Sequence, residues 1–282
     1  MTMTLFARTH HAPLDYTRTW WLRSWVTAVM VFLYAPLLVL MIFSFNDSKR
    51  NVVWRGFTTK YYEKAWNDST LVEALVNSLT IAALSTLFSL VLGTLAAIML
   101  WRFRFPMKSA VDGVMSLPII VPEICLGVGF LIFFSAADWP TGLPWPFNLS
   151  AITIAHITFS FPFVTMIVRS RLASFNTEQE EAAKDLGANE WQAFGDVLLP
   201  HIRPALIAGA LLAFTLSLDD FVITFFTAGP DTITFPVKVY SMVRFSVSPV
   251  VNAASTVLIL LTVVLTAVAL RYQGVKAISE SH

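Results

Sequence analysis

Charged residues are scarce in this chain. Asp, Glu, Lys and Arg make up 13% of its 282 residues, about half the share of an ordinary soluble domain and too little to clothe a globular surface in water. The 19 basic and 18 acidic residues nearly cancel, at net +1. That balance leaves no electrostatic footprint for nucleic acid or for an acidic partner. The single cysteine, Cys125, excludes an intrachain disulfide and a thiolate metal cluster. Set in an apolar run, it is expected to be buried and inert. The chain has no G-x-x-x-x-G-K-[ST] phosphate loop, so it is not expected to hydrolyse ATP itself. No constellation of nucleophile, base and metal ligands stands out, so no catalytic residue, metal or cofactor is assigned, and a membrane enzyme is the weakest reading. Internal repeats, low-complexity tracts and interdomain linkers are lacking as well.

What the chain does have is hydrophobic length, at 56% hydrophobic residues. A helix needs about 20 mostly apolar residues to cross the hydrocarbon core. Six runs approach or exceed that: 25–45, 75–100, 111–134, 151–168, 204–227 and 251–270. The expectation is an all-α membrane protein with six transmembrane helices. The first run is too long for a signal-peptide core and ends in Phe43-Ser44-Phe45-Asn46-Asp47 without a small-x-small pattern, so it is expected to be retained. With both termini inside, 12 Lys and Arg fall on the inner side and 7 on the outer, which favours cytoplasmic N- and C-termini. Residues 1–24 would then be a cytoplasmic segment, 25–270 one transmembrane domain and 271–282 a cytoplasmic tail. Trp20-Trp21 and the stretch from Trp139 to Pro146 resemble interfacial anchors, the second also a stiff extracytoplasmic turn.

Between the fourth and fifth runs lie residues 169–203, more than a simple connection requires. Thr177 followed by Glu180 predicts a capping box, and Glu178, Glu180 and Glu181 load the first turn, where the helix dipole favours negative charge. Gly187 is suited to the left-handed conformation that ends a helix. Asn189 offers a second cap, for a short helix carrying Trp191, Phe194 and Val197. Two short helices joined by a glycine form either a knob that a cytoplasmic partner receives or an amphipathic hairpin resting on lipid headgroups.

The spacing Glu181-Ala182-Ala183, Gly187, then Val197-Leu198-Leu199-Pro200 resembles the EAA loop of the permease subunits of ATP-binding cassette (ABC) importers, departing from the pattern in Val197 for isoleucine. The resemblance implies a type I importer (MetI-like) permease fold in the inner, cytoplasmic membrane. In it the loop 169–203 is the coupling element, and Glu181, Ala182, Ala183, Gly187, Leu199 and Pro200 contact a cytoplasmic ATPase subunit. It further implies two ATPase copies, a second permease subunit and an extracytoplasmic solute-binding protein, with membrane lipid around them. Ser217-Leu218-Asp219-Asp220-Phe221, Pro236 to Val243, Val247-Ser248-Pro249 and Asn252-Ala253 look like the C-type permease subunit of spermidine/putrescine importers. Related permeases for other solutes share parts of these stretches.

Acids within apolar runs are the remaining signal. An aspartate at mid-membrane costs about 2.5 to 3.5 kcal/mol, against roughly 0.3 to 0.6 returned by each Leu, Ile, Phe or Val, so Asp219 and Asp220 must be solvated, paired or near an interface. Adjacent helix positions point about 100° apart, so the two cannot share a face. Asp220 lines up with Ala213, Ser217, Thr224 and Thr227, which suits a pore wall or a close helix contact, and Asp220 is the one expected to face the pore. Asp219 lines up with Leu212, Leu216, Ile223 and Phe226 and suits pairing with a neighbouring helix or partner subunit. A fixed hydrogen-bonding role is open for both. Glu123 follows Pro118 and Pro122, where a kinked, hydrated wall is expected. His156, between Thr153 and Ser160, reads as a satisfied interior histidine. Carboxylates on a wet path favour a cationic solute, and Phe221, Phe225 and Phe226 could add cation-π attraction. Asp219, Asp220, Glu123 and Phe225 are therefore the candidate substrate path of a polyamine importer. The alternatives are a permease for another small organic solute and an ion-coupled secondary transporter; the latter explains the acids but not the loop.

Overall fold

The computed structural model describes residues 20–48, 53–137, 149–229, 232–245 and 248–279. The anchor expected from Trp139 to Pro146 lies outside the described residues, as do Val247 and most of the N-terminal segment. The described residues form twelve α-helices, a π-helical turn and an isolated antiparallel bridge between Asn46 and Phe57. The helices are α1 (Trp20–Phe43), α2 (Lys60–Asn67), α3 (Ser69–Arg102), α4 (Lys108–Ile120), α5 (Glu123–Ala136) and α6 (Leu149–Leu172). Then come α7 (Glu178–Asp185), α8 (Glu190–Ala193), the π-turn (Phe194–Leu198), α9 (Leu199–Leu218), α10 (Val222–Thr227), α11 (Phe235–Phe245) and α12 (Pro249–Ser279).

Five helices are long and apolar enough to cross a membrane, and the bent pair α4 and α5 makes a sixth crossing if counted as one span. The longest is α3. The Asp68 carboxylate accepts from the backbone N–H groups of Thr70 and Leu71 at 3.1 and 3.2 Å and starts the helix at Ser69, ahead of the expected Leu75. Its 34 residues span about 51 Å, so its ends extend beyond a hydrocarbon core of about 30 Å.

The centre of the molecule is the mutual packing of α3, α6 and α9. Small residues at helical spacing on α3 (Ser78, Ala82, Ser85, Ser89, Gly93 and Ala97) are all buried, which lets backbones approach closely where lipid offers no hydrophobic drive to helix association. A Cβ on Gly93 would stand 2.8 Å from both the Phe161 carbonyl oxygen and Val164 Cβ. By contrast, α1 has no buried residue and packs on α12. Its apolar surface is left for lipid or a partner.

Two expected spans are not continuous helices. Residues 111–134 divide at Val121-Pro122, where α4 and α5 meet at 108°. Pro122 has no N–H to continue the ladder, and Val121 takes the extended conformation (φ −72°, ψ 132°) that a following proline imposes. Residues 204–227 divide at Asp219 to Phe221. The helix α9 already begins at Leu199, with Pro200 in its first turn, and ends at Leu218. Cys125 is exposed, not buried as expected, because α5 packs mainly on the short α10 and leaves its other faces open.

Candidate functional site

Two constructions flank the central packing. The first is the hairpin of α7 and α8. Thr177 does not cap α7, contrary to expectation; Asn176 Oδ1 instead accepts from the Glu178 N–H at 3.0 Å. Glu180 is withdrawn from the expected capping box because it is buried and takes two hydrogen bonds from Arg102, at 2.7 and 3.2 Å. Lys184 bridges Glu180 and Glu190 at 3.1 and 2.8 Å, and Arg102 approaches Glu190 at 3.8 Å. This network ties both short helices to the end of α3. Burial pushes the Glu180 carboxyl up, but the Arg102 and Lys184 hydrogen bonds outweigh it and hold it below the usual glutamate range.

Gly187 adopts the left-handed conformation at φ 95°, and the Gly187 and Ala188 N–H groups close back on the Lys184 and Ala183 carbonyls at 2.9 and 3.0 Å. Asn189 and Gln192 form a reciprocal capping box. With its frame fixed from within, the hairpin turns Glu181, Ala182, Gly187, Leu199 and Pro200 outward, with Ala183 half-buried. Leu186 and Trp191 are 90% and 84% exposed. Two large apolar side chains thus stand open on a charged projection, an exposure that is costly unless covered.

The second construction is the break between α9 and α10. Asp220 is buried; its Oδ1 accepts from the Ile223 N–H at 3.2 Å and its Oδ2 from the Thr224 N–H and hydroxyl, both at 2.8 Å. His156 Nε2 lies 3.3 Å from the same Oδ2 and 3.0 Å from Thr224 Oγ1, while His156 Nδ1 meets Ser217 Oγ at 2.7 Å. Ser85 donates to Ser217 at 3.0 Å. The stripe Ala213, Ser217, Asp220, Thr224 and Thr227 is buried throughout, as a close helix contact. The Asp220 carboxylate is thus held among α6, α9 and α10.

Asp219, the C-terminal cap of α9, points the other way and is exposed. It lies within electrostatic reach of Glu123, which is exposed in the first turn of α5. The two broken spans therefore hold two exposed carboxylates within electrostatic reach of each other. Aromatic rings stand alongside: Phe221 packs 5.5 Å from Phe225 and 4.8 Å from Tyr240 of α11. Phe225 is 52% exposed. Among the described residues no group of three or more His, Cys, Asp or Glu side chains is placed to hold a metal. Sequence reasoning did not single out Arg102, Ser85 or the Arg169–Asp112 ion pair joining α6 to α4. A lone cation ending a long apolar helix was the available hint for Arg102.

Residues 89–276 match the family described as the binding-protein-dependent transport system inner membrane component. The match covers well over half of the chain, which therefore belongs to that family. The chain is a multi-pass permease component of an ABC importer of the inner membrane, built on the all-helical MetI-like fold. It is 40% identical over 242 residues to the spermidine/putrescine transport system permease protein PotC of Escherichia coli strain K12, covering 86% of this chain and 89% of that one. It is 42% identical over 229 residues to the putrescine transport system permease protein PotI of the same strain, covering 81% and 82%. The sulfate transport system permease protein CysT of that strain matches at 34% over 192 residues, covering 66% and 68%. Among solved structures, a chain of a bacterial ABC transporter that imports the acidic polysaccharide alginate superposes with a TM-score of 0.71 at 18% identity, covering 92% of this chain and 96% of that one. A chain of the MetNI methionine transporter gives 0.59 at 19%, covering 73% and 95%. At such identities the likeness is one of fold.

Proposed function

We propose that this chain is one of two permease subunits of an importer for polyamines, putrescine or spermidine. It crosses the membrane six times with both termini cytoplasmic, 25–270 forming the transmembrane domain between a short cytoplasmic head and tail. The hairpin docks on a cytoplasmic ATPase subunit present in two copies, through Glu181, Ala182, Ala183, Gly187, Leu199 and Pro200. ATPase closure pushes the hairpin, and α9, continuous with it through the π-turn, carries the movement to its far end at Asp219. A binding protein on the outer side releases the solute there. The observation that carries the polyamine reading is that Asp219 and Glu123, exposed on two broken spans, lie within electrostatic reach of each other, with the rings of Phe221, Phe225 and Tyr240 clustered at the same break. Paired carboxylates and aromatic faces attract a linear ammonium chain and repel sulfate. Asp220, buried behind them, shapes this path without lining it.

The test is deletion of the gene in its host and measurement of labelled putrescine, spermidine and 4-aminobutyrate uptake, with plasmid copies of wild type and Asp219→Asn. Loss of polyamine uptake, restored by wild type and not by Asp219→Asn, is expected. Unchanged uptake of all three solutes rules out the polyamine reading, and full rescue by Asp219→Asn removes Asp219 from the path.

A further inference from the structure

The α9–α10 break is bridged by one side chain. His156 projects from the N-terminal half of α6, 2% exposed, and its two ring nitrogens reach opposite sides of the break: Nδ1 meets Ser217 on α9, and Nε2 meets Thr224 on α10 beside Asp220. The hydrogen-bond chain assigns the tautomer. Thr224 Oγ1 gives its proton to Asp220 Oδ2, so toward His156 it can only accept, and Nε2 must carry the hydrogen. Ser217 Oγ, 3.0 Å from Ser85 Oγ and 2.7 Å from Nδ1, ties the other ring nitrogen to α9 and α3. Asp220 is thus supplied with donors on both oxygens. An ion-dipole network satisfied this fully in a low-dielectric interior is rigid.

From this geometry we propose that His156 is a positioning residue for transport. Acting as a spacer from α6, it sets the angle between α9 and α10 and thereby presents Asp219 and Phe221, at the two ends of the break, to the solute. The inference rests on the proposed solute path, yet the geometry it asserts can be measured without any solute. Glutamine places its amide near Nε2 and can keep the donor toward Asp220 and Thr224. Asparagine reaches only the Nδ1 side, toward Ser217, and leaves Asp220 short of a donor. Leucine keeps the volume and neither bond.

The experiment uses the full complex of both permeases and ATPase in lipid nanodiscs, with His156→Gln, His156→Asn and His156→Leu. Hydrogen exchange is followed at the Ile223 and Thr224 amides, which donate to Asp220, and the number of putrescine molecules delivered per ATP hydrolysed is measured with binding protein in proteoliposomes. Loss of a charge-assisted hydrogen bond predicts exchange about tenfold or more faster in the Asn and Leu variants, a delivered-per-ATP ratio lower by a similar factor, and near wild-type behaviour in Gln. Equal exchange in all variants overturns the proposal, as does a Gln variant that behaves like Leu. Delivery and hydrolysis falling together at constant ratio also overturns it, leaving His156 a role in folding alone. A wild-type complex that hydrolyses ATP and carries no putrescine sinks the polyamine reading, while exchange still decides the role of His156.

Discussion

The α7–α8 hairpin and the α9–α10 break are both places where helices stop, and they stop by opposite means. The hairpin ends its helices with residues a few positions apart: Asn176 for Glu178, Gly187 for Lys184, Asn189 for Gln192. Its outward charges face water. The break uses partners far along the chain, Ser85 lying 132 residues before Ser217 and His156 lying 61 before it. Water completes what the hairpin leaves unmade, so local punctuation suffices. In the bilayer interior the other spans must supply every partner, so the break exists only once three helices have packed.

The largest expected effect separates the adjacent aspartates. Asp220→Leu leaves two backbone donors and the Thr224 hydroxyl without their acceptor. Breaking such a buried pair costs about 3–5 kcal/mol, so the variant should be lost from the membrane or melt well below wild type. Asp219→Leu removes an exposed group, and its melting temperature should stay close to wild type while polyamine uptake collapses. Equal stability of the two variants would erase the distinction between the wall and its support.

The hairpin offers the same contrast at lower stakes. Glu180 faces inward to Arg102, and Glu181 outward. Glu180→Leu strips Arg102 of its paired acceptor and should cost about 1–3 kcal/mol, read as faster proteolysis of the hairpin. Glu181→Leu should stay within about 0.5 kcal/mol of wild type yet fail to copurify the ATPase. Gly187→Ala falls between: open space surrounds its Cβ position, so only the left-handed backbone is penalised, by about 1–2 kcal/mol. Gly187→Asn, better tolerated at φ near 95°, should recover part of that loss.

Legibility follows the same division. The α7–Gly187–α8 outline could be read because dipole, glycine and cap signals act within one or two turns. Even there, the Thr177 capping box yields to Arg102, since a guanidinium offering two hydrogen bonds outbids one backbone N–H for Glu180. Apolar runs revealed the five long apolar helices and the bent pair α4 and α5 among the described residues, because length and hydropathy decide insertion. Their interruptions were harder to read. The cost of Asp219 and Asp220 signalled trouble in the fifth run, but the stripes drawn for them assumed a continuous helix, and α9 ends at Leu218. Which carboxylate turns inward depends on His156, whose distance in sequence hides the pairing. Pro118 and Pro122 announced a kink, but a 108° turn requires α10 as a platform, with Gly127 of α5 lying against Phe226.

The smallest effect concerns solution conditions and tests whether the two regions truly differ in their access to water. Glu180, its carboxyl held down, contributes stability that is complete above its unfolded value of about 4.3 and is lost as pH falls through the lower folded value. Hydrogen bonds to Glu190 and Glu180 raise Lys184; its contribution is complete below about 10.4 and lost as pH rises through the higher folded value. Between about pH 5 and 10 the hairpin network should therefore hold constant, and acidification below about 4 should loosen wild type more than Glu180→Gln. Salt acts within that plateau. At about 1 M the Debye length shrinks to roughly 3 Å, which should speed amide exchange modestly around Gly187 and Asn189, where Lys184 and Glu190 lie partly open to solvent. The Ile223 and Thr224 amides, satisfied by a buried Asp220, should exchange at the same rate in low and high salt. Salt acceleration at both places would mean that ions reach the break, and His156 and Asp220 would then have to be redrawn as lining the water-filled path.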